Sequence, residues 1–330
     1  MELAIASGKG GVGKSTVAST IALVLKDKGE KIIAIDADAD APNLHLVLGV
    51  DKWSERKSYS DSKVAEIDPE KCIRCGECFK ACPYSAIERT PDGGYRVIPL
   101  LCEGCLTCTL VCPVKGAIKR FTAESGEIRI AETEYGFPLI SARLKPGRPN
   151  TGKLVTEQKE MAKGMASEDT VIVTDSAAGI GCQVIASLAG ANLAVLVAEP
   201  TPASFSDLKR VHTLTRHFMQ PSVLVINKFD LYPSYLEKIE EYAEEHGVEI
   251  IGRIPYDETV PKSMALMRPV IKEFPDSPAS NALIEVAERV HEIVKDWKNW
   301  FAKHRPRKPE PYKPIIIKPN KIEKGGERER

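Results

Sequence analysis

The chain has 330 residues, with 46 Lys plus Arg against 46 Asp plus Glu, so its formal net charge is zero. That length suggests about two folded units, and that balance supplies no global pull toward nucleic acid or an anionic membrane. No apolar run approaches the ~20 residues of a membrane span, and the start of the chain, Leu3-Ala4-Ile5-Ala6 running straight into a glycine-rich loop, carries no export signal, so a cytoplasmic location is expected. Aliphatic runs at Leu3 to Ala6, Lys31 to Ile35, Val171 to Thr174, Leu193 to Ala198, Val223 to Ile226 and Glu249 to Ile254 are continuous rather than alternating. Such runs predict strands buried on both faces of a parallel sheet. Between them, Val17, Ile21, Val24 and Leu25 before Gly29, and Leu208, Val211, Thr215 and Phe218 before Pro221, have helical spacing. The pattern is that of a doubly wound, mainly parallel α/β domain. It breaks from Ser62 to Arg120 and fades after Lys303. The expected division is therefore 1–61 and 121–303 for the α/β domain, 62–120 for an insert, and 304–330 for a flexible basic tail rich in proline.

Residues 8 to 16 read Gly8-Lys9-Gly10-Gly11-Val12-Gly13-Lys14-Ser15-Thr16 between a predicted strand and a predicted helix, which satisfies the phosphate-loop motif in its proper context. The glycines let several backbone N–H groups point at one anion, and the following helix adds its positive end. Lys14 is placed to reach the outer phosphates, and the Ser15 hydroxyl to hold Mg2+. Carboxylates at strand ends beside such a loop are where Mg2+ and an attacking water must be held. Asp36 and Asp175 are the Mg2+-side candidates; Asp38 is the water-positioning candidate, with Asp40 its rival.

Nine cysteines in a reducing compartment point to metal or redox chemistry, and eight of them fall between residues 72 and 112. Cys72, Cys75, Cys78 and Cys82 precede Pro83, and Cys102, Cys105, Cys108 and Cys112 precede Pro113, so C-x-x-C-x-x-C-x-x-x-C-P occurs twice. This run resembles that of bacterial two-cluster ferredoxins, a small α+β domain in which the fourth cysteine of each run ligates the other cluster. The resemblance implies two 4Fe-4S clusters, one on Cys72, Cys75, Cys78 and Cys112, the other on Cys102, Cys105, Cys108 and Cys82. Zinc is the competing metal for C-x-x-C pairs, but a duplicated run with both prolines favours the clusters.

The second loop lysine, Lys9, narrows the resemblance. G-K-G-G-V-G-K-S-T is similar to the deviant phosphate loop of the MinD, Mrp and nitrogenase iron protein superfamily of ATPases. Asp36-Ala37-Asp38-Ala39-Asp40 resembles its switch I, and Val173-Thr174-Asp175-Ser176-Ala177-Ala178-Gly179 its switch II. Membership implies ATP hydrolysis in a homodimer, with Lys9 crossing to the partner's phosphates. Asn227-Lys228-Phe229-Asp230 matches the guanine-reading N-K-x-D box and taken alone suggests GTP. In MinD-like ATPases an Asn followed by Lys or Arg reads adenine here, helped by a later loop, in this chain Ile254-Pro255-Tyr256-Asp257. The superfamily therefore implies ATP, with Asn227, Lys228, Pro255 and Asp257 as base contacts. Cys182, seven residues after Asp175, stands where the nitrogenase iron protein places a ligand of a cluster shared between subunits; a packed thiol beside Ile180 and Val184 is the plainer expectation. The six histidines show no ligand-like grouping and are read as structural or solvated.

Two readings share these parts: an ATP-driven donor of low-potential electrons to a redox partner, and a factor that assembles or delivers clusters or a metal cofactor to an apo-acceptor. A spatial-positioning ATPase with a redox-sensing ferredoxin insert is the alternative. It is disfavoured because Lys313-Pro314-Ile315-Ile316-Ile317-Lys318-Pro319 cannot form the membrane-seeking helix it needs.

Overall fold

The computed structural model describes residues 1–147 and 151–306. Its strands are β1 (Glu2–Ser7), β2 (Lys31–Ala37), β3 (Glu55–Tyr59), β4 (Ser62–Ile67), β5 (Ile87–Arg89), β6 (Tyr95–Val97), β7 (Ile118–Ala123), β8 (Gly126–Glu132), β9 (Pro138–Leu144), β10 (Thr170–Ala178), β11 (Leu193–Ala198), β12 (Ser222–Asn227) and β13 (Glu249–Ile254). Nine of them form one sheet in the order β13-β12-β11-β1-β10-β2-β9-β8-β3. Pairing is parallel from β13 to β9 and antiparallel from β9 through β8 to β3. Every residue of β1 and β11 is buried, because helices cover both faces of the parallel part, and this is why those runs show no polar alternation.

The helix Lys14–Asp27 buries Val17, Ile21 and Leu25 against the helix Pro278–Lys295, whose Leu283, Val286, Val290 and Ile293 complete one core layer. On the opposite face Leu208 and Val211 of the helix Pro202–His217 pack with Val184, Leu188 and Ile239. A third cluster joins Ile33 and Ile35 of β2 to Leu154 and Val155 of the helix Thr151–Met165. The antiparallel extension is an addition to the sequence reading. Along β8, Glu127, Arg129 and Glu132 interrupt the apolar residues, so no continuous run marks the strand.

Residues between β3 and β8 leave the large sheet. β4 and β7 pair antiparallel from Ser62 opposite Ala123 to Ile67 opposite Ile118, and β5 pairs with β6. Two five-residue helices, Glu77–Ala81 and Thr107–Val111, pack on each other, and the segment has its own core of Val64, Ala65, Ile67, Ala86, Ile87, Cys78, Cys102 and Cys108. The expected insert boundary at Ser62 coincides with the first residue of β4, whereas the one at Arg120 falls inside β7. Among the described residues, no helix is long and apolar enough to cross a membrane. The expected basic tail, 304–330, lies outside the described residues from 307 onward.

Candidate functional site

The phosphate loop leaves the end of β1 and turns into the helix Lys14–Asp27 through Gly13, whose φ of 96° is open to glycine at little cost. A side chain there would also strike the Asn227 amide, since an added Cβ falls 2.3 Å from Nδ2. Gly8 is equally constrained, its Cβ position lying 2.3 Å from the Asp207 carbonyl oxygen. Asn227 at the end of β12 donates from Nδ2 to the Val12 carbonyl at 2.8 Å, so here it braces the loop from behind. Lys228, in the left-handed region at φ 53°, donates to the Gly11 carbonyl at 3.3 Å. Asp230 accepts from the Tyr256 N–H at 2.8 Å, and Asp257, after Pro255, accepts from the N–H groups of Thr259 and Ala279. Asp230 and Asp257 thus tie together the loops after β12 and β13.

Asp36 and Asp175 stand in register on the adjacent strands β2 and β10 and are both buried. One oxygen of each, Oδ1, makes no hydrogen bond to another described residue. Two buried carboxylate oxygens without partners near the Ser15 hydroxyl and the Lys14 ammonium are a donor set that would suit a divalent cation. Burial pushes Asp175 up to about 7, with Lys14 opposing and Asp36 adding to the rise. Asp36 is raised chiefly by burial, partly offset by His45, whose Nδ1 stands 3.9 Å from Oδ2. Asp38 is raised by burial too, while it accepts from the Ala41 N–H at 3.2 Å. Asp40 instead accepts from Gln183 Nε2 at 2.5 Å, a contact that joins the loop after β2 to the helix Cys182–Leu188 after β10. The Ser15 hydroxyl donates to Asn43 Oδ1 at 2.6 Å.

Lys9 points along its own chain: its Nζ lies 2.7 Å from Glu199 Oε1, and Lys228 Nζ lies 3.2 Å from Oε2 of the same carboxylate. Glu199, His45 and Gln183 carry no motif, and none of the three stands out in the sequence; only their closeness to Lys9, Asp36 and Asp40 reveals them.

The eight clustered cysteines line two small cavities. The first is lined by Cys82, Cys102, Cys105 and Cys108, the second by Cys72, Cys75, Cys78 and Cys112. In each, three thiols come from one run and the fourth from the other. Among the described residues, no group of three or more His, Cys, Asp or Glu side chains is arranged to hold a metal ion. Burial, reinforced by its cysteine neighbours, pushes the Cys108 thiol up to about 11. Gly104, at φ 69°, is held against β4 so closely that an added Cβ would meet the Lys63 carbonyl oxygen at 1.9 Å. Cys182 is exposed at the start of its helix, which corrects the expectation of a packed thiol. Of the histidines, His45 alone comes to the nucleotide-side carboxylates among the described contacts, while His212 is buried against Tyr242.

Residues 3–270 match the CobQ/CobB/MinD/ParA nucleotide binding domain. A Methanocaldococcus jannaschii protein, uncharacterized protein MJ0578, is 34% identical over 301 residues, covering 89% of this chain and 98% of its own. An iron-sulfur cluster carrier protein of Pyrococcus abyssi is 25% identical over 312 residues, covering 90% of this chain and 88% of the relative. Among solved structures, the septum site-determining protein MinD of Pyrococcus horikoshii OT3, complexed with Mg-ADP, aligns with a TM-score of 0.53 at 19% identity, over 89% of this chain and 96% of that one. That last likeness is one of fold. A phosphate loop opening from a central parallel strand, together with a match that spans most of the sequence, makes this chain a member of the CobQ/CobB/MinD/ParA family of nucleotide-binding proteins.

Proposed function

We propose that this protein is an ATPase that couples nucleotide-driven pairing of two copies to iron-sulfur chemistry, with electron transfer to a partner as the primary role. The observation that carries the reading is the pair of cysteine-lined cavities, each closed by one thiol from the opposite run, in a chain that also has a complete phosphate loop. Lys14 and the loop N–H groups bind the phosphates of ATP; Ser15, Asp36 and Asp175 would hold Mg2+; Asp38 orients the water that attacks the outermost phosphorus, releasing ADP and phosphate. Cys72, Cys75, Cys78 and Cys112, and Cys82, Cys102, Cys105 and Cys108, would hold two 4Fe-4S clusters, which supply one-electron chemistry at low potential when bound. Four thiolates per cavity satisfy every iron, and a saturated site favours retention over release. Cluster delivery is the second reading, supported by the name of the Pyrococcus abyssi relative and by the exposure of Cys182.

Anaerobic reconstitution tests the proposal. About eight iron and eight sulfide per chain are expected. Cys82→Ala should deplete the cluster held mainly by Cys102, Cys105 and Cys108; selective loss of the other one refutes the crossed ligation. Reduced protein is then turned over with MgATP beside a redox acceptor and an apo-protein acceptor: retained iron with oxidation of the clusters supports electron transfer, and iron appearing in the apo-protein supports delivery.

A further inference from the structure

The carboxylate of Glu199 is the least explained charge near the phosphate loop. It follows β11, is only 7% exposed, and lies between two lysines that belong to different loops. Its backbone N–H donates to the Ser204 hydroxyl at 3.0 Å and the Thr201 hydroxyl reaches Oε1 at 3.5 Å, so the side chain projects from a fixed turn. Two ammonium groups on one carboxylate is one cation more than charge pairing requires. Lys228 is the fixed one, since its Nζ also bonds the Gly11 carbonyl. Lys9 is the removable one: its side chain is 39% exposed, and among the described residues its ammonium is held by the ion pair with Glu199.

We propose that Glu199 is a positioning residue that parks Lys9 on its own chain, and that Lys9 leaves it when two nucleotide-loaded copies meet. This rests on the dimer reading above. A buried carboxylate stripped of its only cation is costly, and that cost would lock Lys9 in place. Lys228 removes the obstacle, because Glu199 keeps a partner at 3.2 Å after Lys9 has gone. The burial of Glu199, opposed by both lysines, leaves its acidity strengthened, in keeping with a carboxylate that stays charged in either state. The arrangement holds Lys9 back from unspecific anions while making its release nearly neutral in charge.

The experiment measures the parking contact and its consequence separately, on the full chain. Competitive acetylation of the nucleotide-free protein, read at each lysine by mass spectrometry with exposed Lys52 as internal reference, should show Lys9 reacting about 3- to 10-fold faster in Glu199→Gln than in the parent. Glu199→Asp, which keeps the charge but shortens the reach, should fall between them and guards against misfolding of the first variant. Equal Lys9 rates in all three proteins overturn the parking contact, whatever the oligomeric state. Self-association is then followed by light scattering with a non-hydrolysable ATP analogue and Mg2+. Glu199→Gln should pair at several-fold lower analogue concentration than the parent, and Lys9→Ala with Glu199→Gln should behave like Lys9→Ala alone. Faster labelling without that shift, or the same shift in the absence of Lys9, overturns the role in release. Failure of the parent to pair at any analogue concentration refutes the dimer reading and with it the release step, while the labelling result still decides the contact.

Discussion

His212 is 4% exposed on the helix Pro202–His217, with Nδ1 2.9 Å from the Tyr242 hydroxyl and its ring edge-on to His246. Burial first, then the neighbouring His246 and Arg216, push its pKa down to about 4. The unfolded chain binds a proton at His212 below about pH 6.5 while the folded chain does not, so this residue's contribution is whole above that pH and is lost as pH falls toward 4. By pH 5 the loss should reach about 2 kcal/mol. Urea unfolding between pH 7 and pH 5 should therefore show a stability drop that is smaller by about this amount in His212→Gln; parallel profiles in the two proteins contradict the assignment. At this scale the sequence was uneven as a guide. Lys14, Asp36 and Asp175 were legible because a motif or a strand end places them next to the loop whatever the rest of the chain does. Glu199 and His45 were not, because their importance comes from which atoms they meet after folding.

The helix Thr151–Met165 shows how much one unmarked element can connect. Gln158 Nε2 donates to the Asp36 carbonyl at 2.8 Å, Lys153 pairs with Asp61 at 3.1 Å, and Glu157 with Lys57 at 3.2 Å. Lys159, 3% exposed, donates to the carbonyls of Ala186, Ser187 and Ala189 at the end of the helix Cys182–Leu188, and its Nζ is 2.7 Å from Glu2. It so caps the element that follows Asp175. Lys159→Met should destabilise the protein by about 3 to 5 kcal/mol, since it strands the buried Glu2 carboxylate and uncaps that helix. Adding Glu2→Leu should recover a large part of the loss, which chemical unfolding of the single and double variants measures; no recovery means the carbonyl contacts, not the ion pair, carry the cost. The core parallel strands and the helices starting at Lys14 and Pro202 could be read from apolar periodicity. β8 could not, because a strand at the antiparallel margin of the sheet mixes charged residues with apolar ones and shows no continuous apolar run.

At the scale of the molecule, the cysteine segment is attached in a particular way. β3 and β8 are antiparallel neighbours with Tyr59 directly opposite Gly126, and the next pair of strands, β4 and β7, begins with Ser62 opposite Ala123. Both connections therefore leave and return at one point, the end of a β-ribbon. Replacing residues 60–125 by a two-residue Asn-Gly turn should leave a simple hairpin of β3 and β8. The shortened chain is expected to fold and to bind MgADP within about threefold of the parent, a small change in binding free energy, as calorimetry would show; loss of nucleotide binding contradicts the separation. The same geometry bears on ancestry. A ribbon tip is a place where foreign sequence can enter a gene in one event without re-threading the sheet, and where it can later be deleted or exchanged. Relatives of this protein should accordingly differ most in what they carry between their counterparts of Tyr59 and Gly126, and a different module grafted at that point would inherit the same two tethers to the nucleotide-binding domain beneath it.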